Sequence, residues 1–450
     1  MFAIFSSFQF LTNFFTESDA KFLKAYGVNA LRLPFNYSHF LTTPKQLFPF
    51  HINEEGFKHL DRVVELCASH GIYTIFDLHA VPGGQNTDWH SDSPGHHAAF
   101  WDLLDYQNWA VQLWKEIALR YKNQPWVAGY NPLNEPTEKT GVKLLEFYDR
   151  VVKAIREVDP HHLSKLPCET DLTIVFLDGN TFGSDFSFLQ NDKTYRWKAW
   201  TGTVYSVHDY CKYGFPGLRY KSTPENRAYL ERSFERKCTF MREHNLPIWN
   251  GEFGPVYDSK GPEKDQINEE RYEMLKDQLS LYKEKKIVGW SIWTYKDIGF
   301  QGTISLTYMN LANVLSGLTY LSPSSPYITL LKPFLEKKQA LALDAWGASD
   351  THLAPLFSQI EKFFKDNIDE EDQKRYPWPV WKFEQWISRV VRNELLSEFL
   401  VPEWARYFKG LSADELNKLG ESFKFENCLL RDKLNNILKN DSVVQNGFHA

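Results

Sequence analysis

Short apolar runs alternate with amphipathic stretches through the first ~300 residues, and polar residues cluster where those runs end. These two observations predict an α/β fold, a (β/α)8 TIM barrel whose first strand is weak or missing. A third, the change to helical periodicity after residue 355, predicts a helical C-terminal extension packed on the barrel. The expected division is 1–350 for the barrel and 351–450 for the extension. The 450-residue length suits a barrel of about 250 residues with additions.

The elements follow in order. Residues 16–26 read as a helix, with Thr16 and Asp19 as a capping pair and Gly27 as its stop. VNALRLPF (28–35) is a buried strand that Pro34 ends. Phe57, Leu60, Val63, Val64 and Cys67 mark one helical face, and IYTIFDLH (72–79) is β-branched and aromatic. A helix over 101–121 leads to VAGYNPLNEP (127–136). Leu144, Tyr148, Val151, Val152 and Ile155 mark the next helical face. TIVFLDGN (173–180), TVYSVHDY (203–210), PIWNGEFG (247–254) and VGWSIWTYK (288–296) complete seven strands. The missing strand belongs before residue 16, where only SSFQFLTNFF is weakly strand-like. Stretches 163–174 and 302–323 lack a clear period and read as insertions. Trp378, Trp381, Trp386 and Trp404 in the extension read as packing residues rather than a sugar-binding surface.

Composition narrows the function. Apolar residues make up 43% and aromatics 16%, which excludes a disordered chain. A net charge of -6 with no basic run argues against nucleic acid as a partner. The five scattered cysteines form no zinc or disulfide spacing and lean towards a reducing compartment. The apolar N-terminus lacks a preceding basic residue and a cleavage site, and polar residues interrupt it. No membrane span is expected, and the cytoplasm is favoured over secretion. Oligomeric state is left open.

The chemistry sits where the strands end. Asn134-Glu135-Pro136 and Gly251-Glu252-Phe253-Gly254 place two carboxylates three strands apart, across the barrel mouth. Such a pair suits glycoside hydrolysis, in which one group protonates the leaving oxygen and the other attacks carbon or activates water. Arg32 in an apolar run needs a buried carboxylate partner, and Glu252 is the candidate. His79 ends another strand, and His208 and Tyr210 share one strand face. The loop 82–97 carries Gln85, Asn86, Asp88, Trp89 and His90, which read equally as substrate-selecting residues or as a glycine-rich connector. Glu138 is expected to face solvent. No cofactor and no metal are called for.

These pieces, in this order, resemble glycoside hydrolase family 5, the cellulase-like family. They are Arg32 in LRLPFNY, His79 in DLHAVPGGQN, Asn134-Glu135-Pro136, HDY with His208 and Tyr210, Glu252 in NGEFG, and Trp293 in GWSIWTYK. The resemblance covers roughly residues 15–300, and the loop wording is similar to that of fungal members. It implies a retaining β-glycosidase with Glu135 as acid/base and Glu252 as nucleophile, their carboxyl groups about 5–5.5 Å apart. It implies that Asn134 binds the sugar 2-hydroxyl and that Arg32 and Tyr210 orient Glu252. His79 and His208 would line the −1 subsite, and Trp293 would form its floor. The acid's pKa is expected to be raised while the nucleophile is ionised. The expected partner is a carbohydrate, most simply a β-glucoside or β-glucan. Two alternatives stand beside this reading. One is metal-assisted hydrolysis at His79, His90 and His208. The other is a sugar-binding or impaired barrel left open by its missing strand.

Overall fold

The computed structural model describes residues 10–41, 47–93, 97–160, 174–215, 218–258, 261–297, 314–315, 317–334, 336–337, 354–367 and 397–446. Seven parallel strands form one sheet, each beside its predecessor in sequence. They are β1 (Ala30–Asn36), β2 (Tyr73–Ala80), β3 (Val127–Asn131), β4 (Ile174–Asp178), β5 (Thr203–His208), β6 (Ile248–Phe253) and β8 (Gly289–Ile292). The short β7 (Tyr257–Asp258) lies outside this sheet and pairs antiparallel with β10 (Val314–Leu315). Parallel neighbours require crossovers, and helices supply most of them. Helix α1 (Glu17–Ala25) precedes β1, and the crossover helices are α2 (Phe57–Ser69), α3 (Leu104–Tyr121), α4 (Val142–Val158), α5 (Pro224–His244) and α6 (Lys264–Glu284). Between β4 and β5 the described chain makes only single turns, Asn180–Gly183, Ser187–Gln190 and Arg196–Ala199. The sheet is a nearly closed barrel.

Strands and helices form where the pattern puts them. Helix α2 buries Phe57, Leu60, Val63, Val64 and Cys67, the face expected from their spacing. Thr16 donates from both N and Oγ1 to Asp19 Oδ2 at 2.7 Å, capping α1, and Gly27 follows at φ 82°. Two expectations need correcting. Strand β1 does not stop at Pro34 but runs on to Asn36, because an end strand tolerates a residue without an N–H. The strand at 127–136 ends at Asn131, because Pro132 cannot extend the ladder.

The missing strand is the main departure from a full barrel. Residues 10–14 are helical, not extended. Among the described residues nothing pairs with the outer edges of β1 and β8. A slot of about 490 Å³ lies between them, lined by Phe10, Phe14, Leu31, Trp290, Ile292 and Leu438. Its outer wall includes the last helix, α10 (Asp432–Asn446), which buries Leu434 and Leu438. Lys433 at its start pairs with Glu269 of α6, and Lys439 lies over the Tyr26 ring that ends α1.

The second expected insertion is partly structured. Thr319–Leu321 (β11) pairs parallel with β9 (Lys296–Asp297) and antiparallel with β12 (Cys428–Leu430). Residues 163–173 and 302–313 fall outside the described part, as do Trp378, Trp381 and Trp386. Ala354–Asn367 (α7), Ser397–Arg406 (α8) and Ala413–Glu421 (α9) are helical. Trp404 packs against Phe408 with ring centroids 4.7 Å apart, in a small cluster with Leu331 and Leu416.

A buried ion pair ties these parts together. Lys296 Nζ lies 2.6 Å from Asp19 Oδ1, and both side chains are fully buried. Lys296 also donates to Phe14 O and Phe423 O, and Tyr295 OH donates to Asp19. Removing one partner leaves the other charged and unpaired. Lys296→Met is expected to cost about 3–5 kcal/mol, measured by urea unfolding. A loss below about 1 kcal/mol, the range of an exposed pair, would contradict this account.

Candidate active site

The strand ends converge on two glutamates. Glu252 closes β6, and Glu135 lies four residues beyond β3 in a turn at φ 47°. That left-handed conformation is uncommon for a residue with a Cβ and needs support from its surroundings. Asp178 Oδ2 accepts from Glu135 N at 3.0 Å, and Asn86 Nδ2 donates to Glu135 O at 2.8 Å. Gln85 Nε2 donates to both His79 O and Asn134 O at 2.8 Å. Gln85 and Asn86 are fully buried, so they clamp the acid-bearing turn instead of reaching for a ligand. Trp89 begins a single turn, Trp89–Ser91, and its side chain lies outside the described part.

Glu252 is held from two sides. Arg32 Nη1 donates to its Oε1 at 2.8 Å, and Tyr210 OH donates to its Oε2 at 3.0 Å. Arg32 also reaches Asn134 Oδ1 at 2.7 Å, Asn131 Oδ1 at 3.0 and 3.1 Å, and Asp77 Oδ2 at 3.1 Å. Burial opposes its charge, but Asp77, Glu252 and Asp178 outweigh burial and raise its pKa further. His79 Nδ1 donates to Asp77 Oδ2 at 2.8 Å, and its ring stacks on Trp293 with centroids 5.3 Å apart and planes 8° apart.

Glu135 lies between two imidazoles. His208 Nδ1 is 2.7 Å from its Oε1, and His90 Nε2 is 3.0 Å from its Oε2. His208 also lies 3.8 Å from Glu252 Oε2 and 3.3 Å from Asp178 Oδ2. Burial disfavours the imidazolium, but Glu252, Asp178 and Glu135 together push the His208 pKa up to about 9. Burial would raise the Glu135 pKa, and the two histidines override it and lower it. The raised pKa expected for this carboxyl therefore does not hold in this structure. The cause is the two imidazoles beside it, His208 first and His90 second. Gly251 permits this packing, since a Cβ there would lie 2.5 Å from Ser206 Oγ and 2.7 Å from His208 Nε2.

One carboxylate oxygen of each glutamate and a His208 nitrogen all lie within 4.8 Å of one another. Such a separation matches the short gap of a retaining glycosidase, about 5–5.5 Å between carboxyl groups. Three ligand atoms this close could also hold a cation. Arg32 already supplies a positive charge to Glu252 there, which disfavours a second one.

Comparison with known proteins supplies the family. The family model for Cellulase (glycosyl hydrolase family 5) matches residues 3–299. The chain belongs to glycosyl hydrolase family 5. It is therefore a glycosidase that hydrolyses β-glycosides with retention of configuration, and its substrate is a carbohydrate. A β-xylosidase of Phanerodontia chrysosporium is 47% identical over 445 residues, covering 98% of this chain and 86% of that protein. Endoglucanase C of Acetivibrio thermocellus is 24% identical over 328 residues, covering 66% and 88%. The solved endoglucanase Cel5A of Thermotoga maritima is 20% identical with a TM-score of 0.48, covering 62% of this chain and 82% of its own.

The structure brings Arg32, His79, Asn134, Glu135, His208, Tyr210, Glu252 and Trp293 to one rim. Glu138 does not face solvent as expected. It is 8% exposed, and its Oε2 accepts from Thr140 N and Oγ1. The turn around the family's NEP motif draws it inward, since Asn180 Oδ1 accepts from Glu138 N and Asn180 Nδ2 donates to Glu138 O. Sequence reasoning missed Asp77, Asn131 and Asp178. Asp77 had a signal, because strand alternation puts it on the His79 face. Asn131 and Asp178 each close an apolar strand, as the recognised residues do.

Proposed function

We propose that this family member cleaves β-glucosides by double displacement, with Glu252 as nucleophile and Glu135 as acid/base. The observation that carries this is the pair of glutamate oxygens within 4.8 Å, bridged by His208. Arg32 and Tyr210 fix Glu252 for attack on the anomeric carbon. Asn134 then offers its amide to the sugar 2-hydroxyl. His79 and His208 line the −1 subsite, and Trp293, backed by His79, forms its floor. Trp89 is proposed as a further substrate-binding residue. The domain division at about residue 350 and a cytoplasmic location belong to this proposal too. Among the described residues no helix is long and apolar enough to cross a membrane.

A β-xyloside is the second reading, favoured by the name of the 47% identical relative. Turnover of 4-nitrophenyl β-glucoside, β-xyloside and β-mannoside, with NMR of the first-formed anomer, tests both. Dominant hydrolysis of the glucoside with a β-product first supports the proposal. Dominant xyloside hydrolysis replaces the sugar assignment, and an α-product first overturns double displacement.

A further inference from the structure

The two oxygens of Glu135 have different surroundings. Oε1 is committed to His208 Nδ1 at 2.7 Å, on an imidazole whose other nitrogen faces Asp178. Any proton delivered to a leaving group therefore travels through Oε2. That oxygen faces His90 Nε2 at 3.0 Å. Asn86 Nδ2, which donates to Glu135 O, lies 3.1 Å from the same Nε2; an amide N–H only donates, so this second contact forms once Nε2 has given up its proton. The His90 side chain is 18% exposed, against 1% for His208, so it is the histidine of the pair in touch with solvent.

We propose that His90 is a positioning residue for the acid's proton, holding it on Nε2 in the free enzyme and yielding it to Glu135 Oε2 when substrate binds. This rests on the acid/base reading of Glu135. In the first half-reaction the Nε2–H bond breaks and Oε2–H forms. Oε2–H then breaks as the glycosidic oxygen takes the proton together with the electron pair of its bond to the anomeric carbon. In the second half-reaction water gives a proton to Oε2 as its oxygen bonds that carbon, and the proton returns to Nε2. No other reactant is needed.

The groups facing His90 suit this task. Glu135, Asp88 and Glu252 are acidic, the His79 ring is 5.9 Å away, and the Phe182 ring is 6.3 Å away. Burial disfavours its charge, but the three carboxylates override burial and raise its pKa above the ordinary value. The His90–Glu135 pair thus keeps one proton to a higher pH than Glu135 could keep it alone beside a cationic His208.

The test is the pH dependence of kcat/KM for two aryl β-glycosides of whichever sugar is turned over, one 2,4-dinitrophenyl and one phenyl. His90→Gln keeps a polar group without titration, and His90→Phe keeps a ring without a hydrogen bond. For the phenyl glycoside both variants are expected to lose about tenfold or more, within the range of proton-transfer catalysis. Their alkaline limb should move down by about one pH unit or more, the scale of one lost charge partner. The dinitrophenyl glycoside needs little protonation, so its turnover should persist and report a folded site. An unmoved alkaline limb, or equal losses on both substrates, overturns the proposal. Glu135→Ala separates the two levels. If it leaves phenyl glycoside hydrolysis intact, the acid/base reading fails. If it abolishes that hydrolysis while the His90 variants do not shift the limb, only the role of His90 fails.

Discussion

Alanine at position 252 is expected to lower kcat by roughly four orders of magnitude or more, the scale seen when a nucleophile is deleted. The side chain removed is the one that Arg32 and Tyr210 both grip. Its loss leaves a cationic guanidinium facing a carboxylate-sized space. A small anion such as azide can occupy that space and attack the anomeric carbon from the opposite face. Azide should therefore restore turnover of an activated aryl glycoside and yield a glycosyl azide of inverted configuration. Chromatography and NMR of the product decide the matter. Ordinary activity in Glu252→Ala, or an azide adduct of retained configuration, removes Glu252 from the nucleophile's role.

The second large effect concerns Glu135. Replacing it by alanine withdraws the proton donor, and general acid catalysis contributes typically about 10²–10⁴-fold. The loss should track the leaving group. A dinitrophenol departs without help, so its glycoside should retain much of the first-step rate, while an alkyl or oligosaccharide substrate should lose the full factor. The glycosyl-enzyme formed from the activated substrate should then accumulate, because Glu135 also activates water in the second step. A burst of dinitrophenol followed by slow turnover is the expected trace. A uniform loss across leaving groups would make Glu135 a structural residue instead. His208 bears on the same result. With Glu135 gone it still has two carboxylates beside it, Asp178 Oδ2 at 3.3 Å and Glu252 Oε2 at 3.8 Å.

How far the sequence reaches is visible at these residues. Arg32 was readable because a guanidinium in LRLPF has to find a carboxylate, and it finds Glu252 at 2.8 Å. His208 and Tyr210 were readable from strand alternation, and they contact Glu135 and Glu252 respectively. Asp209 between them points the other way, to Lys237 Nζ at 2.7 Å and Tyr282 OH at 2.8 Å. Glu138 was misread because its burial depends on Asn180, which is far along the chain and reached only through a turn. The pKa of Glu135 was misjudged for the same kind of reason. Family roles fix which group donates the proton, while its charge depends on how closely His208, and after it a loop histidine, approach it in the folded chain. The helical start at residue 10 was hidden too, since a short apolar run has no decisive period.

The wall closing the open flank of the sheet has a bearing on how this chain is made. Strand β8 ends at Ile292, yet Leu438, which helps seal the space beside it, comes almost 150 residues later. Synthesis proceeds from the N-terminus, so the nascent sheet waits with two bare margins until the last helix has emerged. Contacts so distant along the chain form slowly. A product halted before Cys428 would lose both that helix and the strand that pairs with Thr319–Leu321, and its flank would stay open to other chains.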